Sequence, residues 1–412
     1  MKKLLLPFLL LCFVLLSPVA SNAQIQEGIE TVKEIKSLFP KKNKETKKEE
    51  PKKEEQEEKA EESAATPQDK PAQPAKPSFA SYSKYDFIPG EKVFFYEDFS
   101  QDNIGDFPAI WNTNKSGEIV TTNVAPGNWF KLGADGMYVL EKGLPMPENF
   151  TMEYDVIPTV KEGTDGPAAY DMTLLMTNQE GFFPQMYVPG EGGIALWFDV
   201  TNRHSFNTYY QGSYVISGDY SEGKGFLKVN EVNHIAIWVQ KSRFRLYMHG
   251  EKIFDLPKAF DASLVLNQIR FLTQAGSEPM ITNIRFADAG ADMRSKLLTE
   301  GKLVTHGIYF DSGSDKIKPE SYGTLKSIAK VLTDNPTVKV KIVGHTDSDG
   351  NDANNLDLSK RRGAAVKASL TKDFSIDAAR MESDGKGKTE PISPNTTPEG
   401  KANNRRVEFL KL

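Results

Sequence analysis

Three constellations in this sequence of 412 residues carry residue types that could do chemistry. Asp347-Ser348-Asp349-Gly350-Asn351-Asp352 spaces oxygen donors like a calcium loop. That loop needs a glycine where Asp352 stands and a bidentate glutamate where Leu358 stands, so the reading fails. Glu153-x-Asp155 puts two carboxylates on one face of a strand, as glycoside hydrolysis would require. The next residue on that face is Ile157, so the acid and nucleophile set is incomplete. The five histidines, His204, His234, His249, His306 and His345, are scattered, without metal-ligand spacing or a serine in a nucleophile elbow. No metal or cofactor site is expected.

The ends and the composition narrow the class. Lys2 and Lys3, an apolar stretch from Leu4 to about Leu16, and Ser21-Asn22-Ala23 read as a secretory signal over 1–23, cleaved before Gln24. The single cysteine, Cys12, lies inside the apolar stretch after Leu11, a poor site for lipidation. The mature chain would hold no thiol, which excludes disulfides and cysteine chemistry. Without Lys2 and Lys3 the chain carries 49 basic against 56 acidic side chains, net −7. An acidic exported chain is a poor nucleic-acid binder, so no nucleic-acid partner is expected. No later stretch of about 20 apolar residues suggests a membrane helix.

The elements that must position any site fall into successive regions. Residues 24–40 space Ile25, Ile29, Val32, Ile35 and Leu38 as an amphipathic helix. Residues 41–84 are a Lys/Glu- and Pro-rich linker with almost nothing to bury, a coil spanning roughly 35–40 Å. Residues 85–290 are rich in strand signals, including Phe150–Val156, Ile194–Phe198, His234–Val239, Phe244–Met248 and Ile281–Phe286. His249-Gly250 between two of them predicts a tight hairpin. A connecting helix is expected within 291–301. Residues 302–412 then alternate: a strand over 304–310, a helix over 319–332, a strand over 338–343, a helix over 358–370 and a closing strand over 406–412. The expected fold class is multidomain, an all-β jelly-roll sandwich followed by an α/β sandwich of β-α-β-α-β order.

Two resemblances follow from these residues. Glu97-Asp98-Phe99-Ser100, Gly105-Asp106-Phe107-Pro108 with Trp111, the His249-Gly250 hairpin and Ile281–Phe286 resemble concanavalin A-like, laminin-G-like jelly rolls. Ile308-Tyr309-Phe310-Asp311, Lys318-Pro319-Glu320-Ser321, Val343-Gly344-His345-Thr346-Asp347, Leu358-Ser359, Arg361-Arg362 and Asn404-Arg405-Arg406-Val407-Glu408 resemble the OmpA-like peptidoglycan-binding domain. The second resemblance implies a ligand, the diaminopimelate of the peptidoglycan stem peptide. It gives Asp347 the ammonium and Arg362 a carboxylate, held by two parallel hydrogen bonds. Thr346 and Asn355 would shape the loop, with capping of the helix as an alternative for Asn355. Asp311 would lie where the cleft opens. Arg405 could reach a peptide carboxylate, with edge-strand protection as the alternative for Arg405 and Arg406. Arg361 lies about 100° around the helix from Arg362 and is expected to pair on the surface. Residues 302–412 hold 19 basic and 15 acidic side chains, a charge suited to an anionic stem peptide.

The reading at this point is a non-enzymatic envelope protein in the periplasm, associated with the outer membrane and cell wall, that grips peptidoglycan and displays a sandwich. The alternative is a wall-anchored carbohydrate-active enzyme. The sandwich is a candidate receptor for a glycan or an envelope protein, with Trp111, Trp129, Trp197, Tyr209 and Tyr210 as its candidate sugar platform.

Overall fold

The computed structural model describes residues 85–144, 146–159, 163, 171–177, 189–199, 203–221, 226–274, 276–289 and 293–412. The expected signal, amphipathic helix and linker, 1–84, lie outside these residues. Among the described residues no helix is long and apolar enough to cross a membrane.

Among the described residues fifteen strands precede the C-terminal module. They are β1 (Lys92–Glu97), β2 (Trp111–Thr113), β3 (Gly117–Val120), β4 (Trp129–Leu132) and β5 (Met137–Leu140). Next come β6 (Asn149–Ile157), β7 (Asp171–Thr177), β8 (Gly192–Asp199), β9 (His204–Tyr210) and β10 (Ser213–Tyr220). The last are β11 (Asn233–Gln240), β12 (Arg243–Met248), β13 (Glu251–Leu256), β14 (Gln268–Thr273) and β15 (Met280–Asp288). One sheet runs β13-β12-β11-β6-β15-β4-β3, with β1 also on β15; the other runs β10-β9-β8-β7-β14-β5-β2.

Period-two alternation makes these layers. On β6, Phe150, Met152, Tyr154 and Val156 point into one core with Ile194, Leu196 and Phe198 of β8 and Phe271 of β14. The two sheets therefore pack face to face. Each such side chain contributes up to about 1.5–3 kcal/mol by leaving water. The hairpin forms as the sequence suggests. His249 and Gly250 both take positive φ, 48° and 75°, and Met248 faces Glu251 across the turn.

The other face of the first sheet is not a solvent face. Thr151, Glu153, Arg245 and Arg285 are all buried there. The C-terminal module covers part of it. The Asn403 side chain both accepts from Val93 N and donates to Val93 O, each at 3.0 Å. It serves as a short surrogate strand beside β1, whose register shifts between Val93 and Phe95.

The module opens with helical turns over Met293–Ser295 and Lys296–Glu300, then β16 (Lys302–Thr305). A 3-10 turn (Pro319–Ser321) leads into α1 (Tyr322–Asp334). Then come β17 (Val340–His345), α2 (Asp352–Phe374), β18 (Met381–Gly387), α3 (Pro398–Asn404) and β19 (Val407–Lys411). Leu325, Ile328 and Leu332 of α1 and Val366 and Leu370 of α2 share a core with Leu303, Val340, Ile342 and Phe409. The sheet order is β16-β19-β17-β18.

Several expectations need correction. The first strand stops at Thr305, and Phe310 makes only an isolated bridge to Ile317. At Gly307 a Cβ would lie 2.3 Å from the Thr324 hydroxyl, so close packing bends the chain there. Helix α2 starts six residues before the expected Leu358. β18 and α3 were not expected. β19 lies inside the sheet, so edge protection does not explain Arg405 or Arg406; Arg406 is buried on Glu408 at 2.8 Å.

Candidate functional site

Helix α2 delivers Arg362. Its Nε donates to Ser314 O at 2.9 Å, its Nη2 reaches Asp311 O at 3.4 Å, and its guanidinium lies 4.8 Å from the Phe310 ring centre. Burial lowers its pKa, against the opposing pull of Asp347. Its hydrogen-bond partners are carbonyls, and no carboxylate among the described residues lies within ion-pair distance. Arg361, one step around the helix, is exposed and pairs with Asp315 at 2.6 Å and Asp357 at 2.8 Å.

Asp347 stands in the turn after β17, about nine-tenths buried. Its Oδ1 accepts from Asp349 N at 3.1 Å. Its Oδ2 accepts from Arg405 Nη1 at 2.7 Å. The structure thus pairs Asp347 with Arg405, and Arg405 in turn lies over the Tyr96 ring at 5.1 Å. Burial works against the Arg405 charge, but Tyr96 and Asp347 outweigh it and raise its pKa.

The remaining loop residues lock the turn. Thr346 Oγ1 donates to Asp347 O at 2.9 Å, and its backbone N–H donates to Gly387 O at 3.0 Å. Asn355 Nδ2 donates to Asp349 O at 2.8 Å. Asn355 is not the helix cap. That role falls to Asn351, whose side chain accepts from Asn354 N at 2.8 Å. The Asp311 carboxylate reaches Lys316 at 3.6 Å.

Asp311, Arg362 and Arg405 line a cavity of about 530 Å³, and Asp347, Thr346 and Asn355 do not. Its opposite wall belongs to the sandwich. There Arg285 Nη1 donates to Glu153 Oε1 at 2.7 Å, and the Tyr309 hydroxyl donates to Glu153 Oε2. His234 Nδ1 lies 2.8 Å from Asp155, and its Nε2 lies 3.4 Å from Glu153. Burial alone would discharge His234, but the two carboxylates prevail and push its pKa up to about 10. Burial likewise opposes the Glu153 charge, but Arg285, His234 and Tyr309 hold its pKa below the usual carboxylate range.

Sequence reasoning left Glu153-x-Asp155 without a role once the glycosidase pattern proved incomplete, and the fold places both carboxylates on the cavity wall. Both residues are tied into ion pairs and hydrogen bonds. Burial opposes the Asp155 charge, but His234 with its neighbours outweighs it and holds that carboxyl, like that of Glu153, below the usual range. It also treated the histidines as unrelated, yet His234, His249, His306 and His345 all line this cavity. Among the described residues no three His, Cys, Asp or Glu side chains are set to hold a metal. Trp111 and Trp129 are core residues and cannot form a sugar platform. Trp197 and Tyr209 pack on the outer side of the second sheet, against Met137, Val139, Ala195 and Leu272.

The module thus runs β-α-β-α-β-α-β, with Asp347, Arg362 and Arg405 gathered beside the end of β17. Residues 309–405 match the OmpA family model, and this segment is an OmpA-family domain. It is similar to the probable lipoprotein YiaD of Escherichia coli, 37% identical over 130 residues. It is also similar to outer membrane protein A of Bordetella avium, 43% identical over 101 residues. Those matches take in 29% and 24% of this chain and span 59% and 52% of the two relatives. Among solved structures, the peptidoglycan-associated lipoprotein from Burkholderia pseudomallei is 28% identical, with a TM-score of 0.24 over 26% of this chain and 88% of that one.

Proposed function

We propose that residues 302–412 bind peptidoglycan through the diaminopimelate of its stem peptide, and that the protein is a non-enzymatic component of the periplasmic side of the cell envelope. The observation that carries this reading is the trio Arg362, Asp347 and Arg405 on an OmpA-family domain. Arg405 neutralises Asp347 in the structure. A zwitterion can replace both halves of that pair. Its ammonium takes Asp347, and its carboxylates take the released Arg405 and the carboxylate-free Arg362. Exchange of one ion pair for another avoids leaving the buried Asp347 charge unmatched, the main cost of such a site. The bound roles of Glu153 and Asp155 support the non-enzymatic reading. The sandwich is read as a concanavalin A-like jelly roll held at the wall by its neighbour.

The test is co-sedimentation of the full mature chain with purified sacculi that contain diaminopimelate. Asp347→Ala and Arg362→Ala should each weaken binding by about 2–5 kcal/mol, roughly thirtyfold or more. Arg362→Lys should also bind poorly, because an ammonium cannot reproduce the two-point grip. Undiminished binding by Asp347→Ala would sink the assignment.

A further inference from the structure

The cavity beside Arg362 and Arg405 has two walls from different domains, and one of them lies outside the OmpA-family segment. Tyr96, Asp155, His234 and Asn283 of the sandwich face it across from Arg362 and Lys318. The sandwich wall is a connected row. The Tyr96 hydroxyl donates to Asn283 Oδ1 at 2.9 Å, Asn283 Nδ2 donates to Asp155 Oδ2 at 2.8 Å, and His234 holds the other Asp155 oxygen. Asn283 reaches this row because it sits at φ 53° where the β15 register shifts. A bulge of this kind re-aims a side chain.

The floor carries groups with nothing to bind. His306 and His345 are 7% and 3% exposed, and neither Nδ1 has a hydrogen-bond partner among the described residues. His306 Nε2 lies 2.9 Å from the carbonyl of Asn403, so Nε2 carries the hydrogen and Nδ1 is a free acceptor. Lys318, exposed at the rim, has no carboxylate within ion-pair distance among the described residues, and neither has Arg362. A buried acceptor and two cations without counter-ions suit a ligand with N–H donors and carboxylates. A single diamino acid held at Asp347 and Arg362 would leave most of this row untouched.

We infer that the sandwich completes the peptidoglycan site, its wall of Tyr96, Asp155, His234 and Asn283 taking the stem-peptide segment next to the diaminopimelate. This rests on the reading that Asp347, Arg362 and Arg405 hold the diaminopimelate itself. Tyr96 has a second role as a positioning residue, since its ring supports Arg405.

The experiment is calorimetric titration of the full mature chain with two probes, free diaminopimelate and a sugar-free stem tripeptide that ends in diaminopimelate. The wild type should bind the tripeptide at least tenfold more tightly than the free diamino acid. Asn283→Gly keeps the backbone conformation and removes the amide. Asp155→Asn keeps the shape and removes the charge. Each should cut tripeptide affinity about tenfold and leave diaminopimelate affinity within twofold, so the ratio collapses. A wall that only glues the domains would not change that ratio. An unchanged ratio in both variants, or equal wild-type affinity for both probes, overturns the inference while Arg362→Ala, losing both ligands, still upholds the underlying site. No binding of either probe by the wild type overturns both.

Discussion

Two charge clusters lie on either side of one cavity, and they are built in opposite ways. The Glu153–Arg285–His234–Asp155 cluster is closed. Both Glu153 oxygens and both Asp155 oxygens are engaged, and Glu153 and Arg285 are almost wholly buried. The Asp347–Arg405–Arg362 cluster is open. It has two guanidiniums for one carboxylate, and Arg362 rests on carbonyls alone. A satisfied network presents fixed groups that a ligand can meet, and a network with surplus charge can exchange its own partners for those of a ligand. Charge type does not separate the two. The count of satisfied partners does.

The strongest way to break this contrast is Glu153→Ala. It leaves Arg285 without a carboxylate partner and His234 with Asp155 alone, a loss of about 3–5 kcal/mol, measurable as a lower thermal midpoint of the full chain. A surface-like change below 1 kcal/mol would show that the closed cluster is not structural.

A second measurement sharpens it through pH. The folded pKa of His234 is raised to about 10, above the unfolded value near 6.5. Its stabilisation is therefore complete below about pH 6.5 and is lost as pH rises through about 10. The wild type should lose stability across that window, and His234→Gln should flatten the decline. An equal decline of unfolding free energy with pH in both proteins, measured by denaturant titration at several pH values, would refute the pairing. The open cluster offers a smaller effect at its edge. Asn351→Ala removes the cap of α2 and should cost about 0.5–2 kcal/mol, with binding to sacculi retained. Arg361→Ala should be the mildest, with binding and melting both within error. A loss equal to that of Arg362→Ala would mean bulk attraction rather than a site.

In the OmpA-family half, periodicity made two of the elements legible, and the candidate site residues came from the family resemblance instead. Leu325, Ile328, Ala329 and Leu332 mark α1, and Val338–Val343 alternates. The misses have physical causes. Met381–Gly387 reads Met-Glu-Ser-Asp-Gly-Lys-Gly, with no β-branched residue, and becomes a strand only by parallel pairing with β17. Thr397-Pro398 does signal the start of α3, with a capping threonine and proline in the first turn, but the seven-residue helix is too short for an apolar period to show. The first turns of α2 are Asp-Ala-Asn-Asn, without an apolar stripe, so periodicity began the helix late. The sandwich wall was invisible because Glu153, His234 and Arg285 lie on three strands far apart in sequence and look like solvent-face polar residues. Only the tertiary fold brings them opposite Tyr309.

Three glycines set how this site can change over evolutionary time. A Cβ at Gly344 would lie 2.3 Å from Ser359 O, one at Gly363 2.5 Å from Asp384 O, and one at Gly385 2.2 Å from Lys360 N. They let α2 lie directly on β17 and β18, so Arg362 cannot drift without moving backbone. Variation in a mutational library should therefore concentrate in the exposed 312–316 loop and the sandwich wall. New ligand preferences can arise there while the anchoring cation stays fixed.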